Sequence, residues 1–147
     1  MTATRPPHAN EHTRRSGLGR VLIAVYAVLA LAALGRSFFQ IATKFHDAPV
    51  AYALSAVAAL IYVVATIALI APGRTWMRVA WVTISIELAG VLIVGFLSIF
   101  LPVLFPHDTV WSVFGRGYLF LPLVMPILGL LWLRRSRSPL AVAGETR

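Results

Sequence analysis

One acid stands where an acid is expensive. Glu87 lies near the middle of the apolar stretch 75–101, TWMRVAWVTISIELAGVLIVGFLSIFL, and an ionised group at a bilayer centre costs roughly 2.5 to 3.5 kcal/mol on insertion scales, so such residues turn inward and find partners. The surrounding Val, Ile, Leu and Phe residues each contribute about −0.3 to −0.6 kcal/mol and keep the span favourable. On a helix, Ala80, Thr83, Glu87, Gly90, Val94 and Ser98 fall on one small, partly polar stripe that lets another helix approach closely. The cations able to meet Glu87 are Arg36 and Arg116, each placed several residues outward of its depth, where a guanidinium reaches inward as a two-pronged partner. Gln40, on the Arg36 face, and Thr83, on the Glu87 face, are accessory polar candidates. Three chemistries fit this cluster, and a fourth reading leaves Glu87 unpaired within the chain and facing a partner protein. The cluster is a structural staple between the first and third helices, or a protonation site of the kind found in proton relays and coupled transporters, or, with two arginines to one acid, a site for an anionic ligand or lipid headgroup.

Other chemistry is poorly supported. His46-Asp47 and His107-Asp108 offer imidazole and carboxylate, but the two pairs are far apart in sequence and read as helix caps and turns, so no metal is expected. No histidine falls inside a span to ligate haem, and no other cofactor is indicated. Cysteine is absent, which excludes disulfides, thiolate metal sites and thiol nucleophiles. There is no Ser/His/Asp set, phosphate loop or pair of acids at helical spacing, so the chain reads as non-enzymatic.

The elements that position the cluster are apolar helices. With 59% hydrophobic and 12% charged residues in a chain of 147, the apolar excess exceeds what a soluble core of this size hides and implies a bilayer. The spacing predicts spans over 20–42, 50–71, 77–101 and 113–133 of a transmembrane domain 20–133, flanked by basic tails at 1–19 and 134–147 without periodicity. The first span must run through Arg36, because the unbroken apolar run is too short to cross. Ala51, Ser55 and Ala59 form a small-xxx-small face on the second. Pro102 and Pro106 break the chain after the third, and two courses remain open beyond them: a short interfacial helix over 109–116 with the fourth span starting at Gly117, or one continuous helix over 109–133. Trp76, Trp81, Trp111, Tyr118 and Trp132 read as interfacial anchors.

The formal charge of +8 sits largely outside the apolar spans, which suits topology and anionic headgroups better than nucleic acid. Arginines crowd the two tails and the turn at Arg74 and Arg78, which predicts both termini cytoplasmic. Arg14-Arg15 before an apolar run resembles a twin-arginine export signal, although a basic flank before a first span is ordinary topology. Through Glu87-Leu88-Ala89-Gly90-Val91-Leu92 and Thr109-Val110-Trp111-Ser112-Val113-Phe114-Gly115-Arg116-Gly117-Tyr118, the chain resembles a group of small four-helix integral membrane proteins of high-GC actinobacteria. That resemblance covers 20–133 and implies the architecture without an activity. The helix count and single internal acid also resemble small multidrug transporters, in which the chain is shorter and the acid belongs to the first helix. The expected protein is all-α and polytopic: a four-helix transmembrane bundle, alternatively two tandem helical hairpins, in a bacterial plasma membrane. Its expected role is a structural or accessory subunit working through a membrane-protein partner or a homo-oligomer, with a small proton-coupled transporter or an anionic-lipid binder as alternatives.

Overall fold

The computed structural model describes residues 9–136, with side chains from Gly17 onward. All regular structure among them is helical. Helix α1 spans Ala9–Lys44, α2 Pro49–Ile70, α3 Arg74–Phe100 and α4 Leu121–Ser136, with short 3₁₀ turns at Phe45–Asp47, Pro102–Leu104 and Ser112–Tyr118. Three stretches, Gly17–Asp47, Pro49–Ile70 and Arg74–Phe100, are long and apolar enough to cross a membrane. A fourth crossing exists if Ser112–Tyr118 and Leu121–Ser136, bent by 99° at their junction, count as one broken span.

Local chemistry explains the boundaries. Pro49 opens α2 at its first turn, where its missing N–H costs nothing. Gly73, at φ +115°, turns the chain into α3 through a conformation that side chains rarely adopt. Helix α1 starts at Ala9, inside the stretch expected to be a polar tail; extending a formed helix costs far less than nucleating one, and Glu11, Arg14 and Arg15 are good helix formers. The expected tail residues 1–8 and 137–147 lie outside the described residues.

The outer surface is more apolar than that of a soluble protein. Side chains such as Leu31, Phe38, Ile93 and Phe100 face outward, while Glu87, Ser55 and three tyrosines are fully buried. That distribution suits lipid outside and polar contacts within. Helix α1 packs on α2 and α2 on α3; α3 also meets α4 and the Ser112–Tyr118 turn, and a thinner contact between α4 and α1 closes the ring. Small residues make these approaches possible: Ala30 and Ala33 of α1 and Ala51, Ser55, Ala58, Ala59, Ala65 and Ala68 of α2 are all buried, as the small-residue face of the second span predicts. In this ring α1 and α3 stand diagonally opposite, so what joins them must cross the centre.

After α3 a short 3₁₀ turn over Ser112–Tyr118 precedes a separate helix, so no continuous helix runs over 109–133. Helix α4 begins only at Leu121 and runs to Ser136, the last of the described residues. Before it, Val113, Phe114, Gly115, Leu119 and Phe120 all have positive φ, between 48° and 79°. Such values cost bulky and β-branched residues free energy, and they persist only where the surroundings dictate them.

Candidate functional site

Glu87 stands thirteen residues from either end of α3 and is completely buried. The stripe predicted this inward orientation: Ala80, Thr83, Glu87 and Val94 are buried on one face. Its partner, however, is a phenol. The Tyr26 hydroxyl of α1 donates to Glu87 Oε2 at 2.7 Å, and this hydrogen bond crosses the ring between the two diagonal helices. Tyr26 is itself fully buried and meets Tyr62 of α2 edge-on, with ring centroids 6.3 Å apart. Tyr62, also fully buried, accepts a hydrogen bond from the Trp111 indole Nε1–H at 3.0 Å. The far side of the site is apolar, since the buried residues of α4 are Pro122, Met125, Pro126, Gly129 and Leu133. A Cβ at Gly129 would sit 3.7 Å from the Tyr26 hydroxyl and 3.3 Å from Ile84, so this glycine lets α4 close over the Tyr26 and Glu87 level.

The second carboxyl oxygen, Oε1, is buried and has no hydrogen-bond partner. A group in this position is an exception among buried polar atoms and calls for an explanation. Neither arginine supplies one. Arg36 lies ten residues beyond Tyr26, which on a helix displaces it by about 15 Å along the axis, more than its side chain spans. Its guanidinium instead donates from Nη2 to the Asp108 carbonyl at 2.8 Å and lies 6.0 Å from the Tyr118 ring. Arg116 follows the left-handed turn and is exposed. The expected Glu87–Arg36–Arg116 cluster therefore does not assemble: Arg36 ties α1 to the loop after α3, and the helix-to-helix link falls to Tyr26. Thr83 is buried one turn before Glu87. Gln40 is half-buried on α1 beside the Arg36 level; its Oε1 and the Oγ of buried Ser37 have no hydrogen-bond partner.

The histidine loops do not supply the expected caps: Ala48 stands at the N-cap of α2 and Trp111 at that of the Ser112–Tyr118 turn, neither with a side-chain cap hydrogen bond. His107 stacks on buried Tyr52 at 5.9 Å and 23°, and His46 lies edge-on to Phe45.

The turn before α4 is held by rings seated in glycine notches. A Cβ at Gly90 would stand 2.7 Å from the Trp111 ring, and one at Gly95 2.5 Å from the Phe114 ring, so only glycine admits either side chain against α3. Ser98 completes the seat, donating to the Gly95 carbonyl and accepting the Val113 N–H at 2.8 Å. Thr109 and Ser112 close the turn on themselves: Ser112 Oγ accepts the Thr109 N–H, and Thr109 Oγ1 accepts the Trp111 N–H. Trp111 is thus a core residue, 3% exposed, and not the interfacial anchor its place in the sequence suggests.

No family model, curated protein or solved structure matches this chain. The reading of function rests on the geometry alone. Charge patterning does not point to Tyr26, Tyr62 or Trp111. A signal existed nonetheless: a tyrosine inside an apolar span needs a partner for its hydroxyl, and the first span carries Tyr26 and the second Tyr52 and Tyr62.

Proposed function

We propose that this chain is a small multi-pass membrane protein whose central carboxyl, Glu87, takes up and releases a proton in coupled transport. The proposal includes a four-helix transmembrane arrangement in a bacterial plasma membrane, with both termini cytoplasmic and anionic headgroups at the basic ends. The observation that carries it is a fully buried Glu87 with one oxygen held by Tyr26 and the other unpartnered.

An ionised carboxylate at this position would be a buried charge without a counter-ion, a situation that costs several kcal/mol. A protonated carboxyl avoids that cost. Tyr26 then donates to the carbonyl-like Oε2, and the acid proton sits on Oε1. The titratable groups facing it are Tyr26 from α1 and Tyr62 from α2; α4 contributes none among its buried residues. The proton leaves when water reaches Oε1 and accepts it, and returns when the site closes again. This cycle of hydration is what a coupled transporter needs from an intramembrane acid.

The test is infrared spectroscopy of the protein in liposomes. A protonated-carboxyl C=O band that is present in wild type, missing in Glu87→Gln and altered by pH supports the reading, together with a pH-driven solute flux that Glu87→Gln abolishes. A carboxyl band that is absent or indifferent to pH overturns it.

One observation favours a second reading, a structural or accessory subunit. The Tyr26–Glu87 hydrogen bond spans two helices that otherwise barely touch, which is what a staple does. Co-purification of a stoichiometric membrane partner, with no flux across a broad solute panel, would select it.

A further inference from the structure

Resting on the proton-site reading, we propose that the segment 109–120 is a gate and Trp111 its plug: withdrawing the indole from the Gly90 notch opens the route by which water reaches Glu87. The placement of the segment supports this. Trp111 is seated on α3 one turn beyond Glu87, and its indole N–H ends on Tyr62, the ring that packs edge-on against Glu87's own partner Tyr26. The chain of contacts from the plug to the acid has no further member.

The segment is also built to move as a unit. Left-handed backbone follows the plug at Val113, Phe114 and Gly115 and recurs at the segment's end at Leu119 and Phe120, and strain of this kind clusters in switch regions. Its anchors are two rings in two notches, fully buried Val110, the close seat of Gly115 on Pro122, the Trp111–Tyr62 and Val113–Ser98 hydrogen bonds, and the Arg36 tether to the Asp108 carbonyl. Beyond the plug the segment presents an exposed face, with Arg116, Gly117 and Leu119 all open, so an outward swing meets no packed neighbour there.

The test reads hydrogen–deuterium exchange of the Glu87 carboxyl, followed as the downward shift of its C=O band after transfer of proteoliposomes to heavy water. Trp111→Phe keeps a ring in the notch and removes the N–H. Exchange should quicken about tenfold, the population change that follows loss of one buried hydrogen bond. Gly90→Ala, whose methyl takes the space of the indole, should quicken it at least as much, and Gly35→Ala, which meets nothing within 4 Å, should leave it unchanged. The opposite perturbation uses the absence of native cysteine. A Cβ at Gly95 stands 3.0 Å from Phe114 Cγ, close to where a cysteine sulfur at 114 would lie, so Gly95→Cys with Phe114→Cys suits a disulfide. Exchange should slow on oxidation and recover on reduction of the same sample. Equal exchange in the oxidised and reduced states, with wild-type rates in Trp111→Phe, overturns the gate while leaving the proton site standing. Absence of the carboxyl band from wild type removes both.

Discussion

Tyr26→Phe measures whether Glu87 rests as a neutral acid. The substitution deletes one oxygen and leaves the ring, so the edge-on contact with Tyr62 at 6.3 Å survives. What is lost is the 2.7 Å hydrogen bond to Glu87 Oε2, and its strength depends on the state of the acceptor. Hydrogen bonds between neutral groups contribute about 0.5 to 1.5 kcal/mol, and those to a charged group about 1.5 to 3 kcal/mol. The comparison is with the same change made in a Glu87→Gln background, where the carboxamide oxygen accepts from Tyr26 without any charge. If Glu87 rests protonated, Tyr26→Phe destabilises both backgrounds by the same amount, about 1 kcal/mol, and the coupling between the sites is close to zero. If Glu87 rests ionised, the wild-type background loses more, and a coupling of about 1 to 2 kcal/mol appears. The assay is reversible unfolding in mixed micelles titrated with dodecyl sulfate, with four proteins measured side by side at neutral pH. The larger coupling would refute the argument that the unpartnered Oε1 carries a proton.

Arg36→Gln and Glu87→Gln should be additive to within about 0.3 to 0.5 kcal/mol in the same assay, because Arg36 engages the Asp108 carbonyl and not the acid; strong coupling would restore the ion pair. Gly90→Ala and Gly95→Ala should each cost about 1 to 3 kcal/mol through overpacking against Trp111 and Phe114, whereas Gly35→Ala, in open space within α1, should gain about 0.5 to 1 kcal/mol from helix propensity. Equal effects at all three would mean that the notches are not occupied. Single cysteines placed at His46 and at Thr75, in a chain with none of its own, should react with an impermeant maleimide from opposite sides of intact cells, and labelling from one side would remove α2 as a membrane span.

The boundaries of α2 and α3 were legible because hydropathy and the Pro49 and Gly73 punctuation act locally. So was the inward turn of Glu87, since a 3.6-residue period decides which side chains share the Ala80, Thr83 and Val94 face. The partner of that acid was not legible. Periodicity orients a helix about its own axis but leaves free how far one helix slides along another, and a slide of a few turns separates Arg36 from Tyr26. Charge attraction favours the arginine in a sequence. Depth decides for the tyrosine in the fold, as Tyr26 sits at the level of Glu87 while Arg36 lies near the end of its helix.

The conformation of 109–120 defeats sequence reading for a different reason, and that reason bears on function. Val113 and Phe114 have no intrinsic preference for left-handed backbone; each residue so held costs about 1 to 3 kcal/mol. The conformation is imposed from α3, where Gly90 and Gly95 lack the side chains that would exclude Trp111 and Phe114. Glycines inside a membrane helix are therefore half of a contact whose other half lies some twenty residues downstream. An element held by distant contacts against its local preference depends on each of those contacts for its conformation. It is the part of the molecule where loss of one anchor changes the population of an open state most, and the indole it carries lies against the tyrosine ring that packs on Glu87's partner.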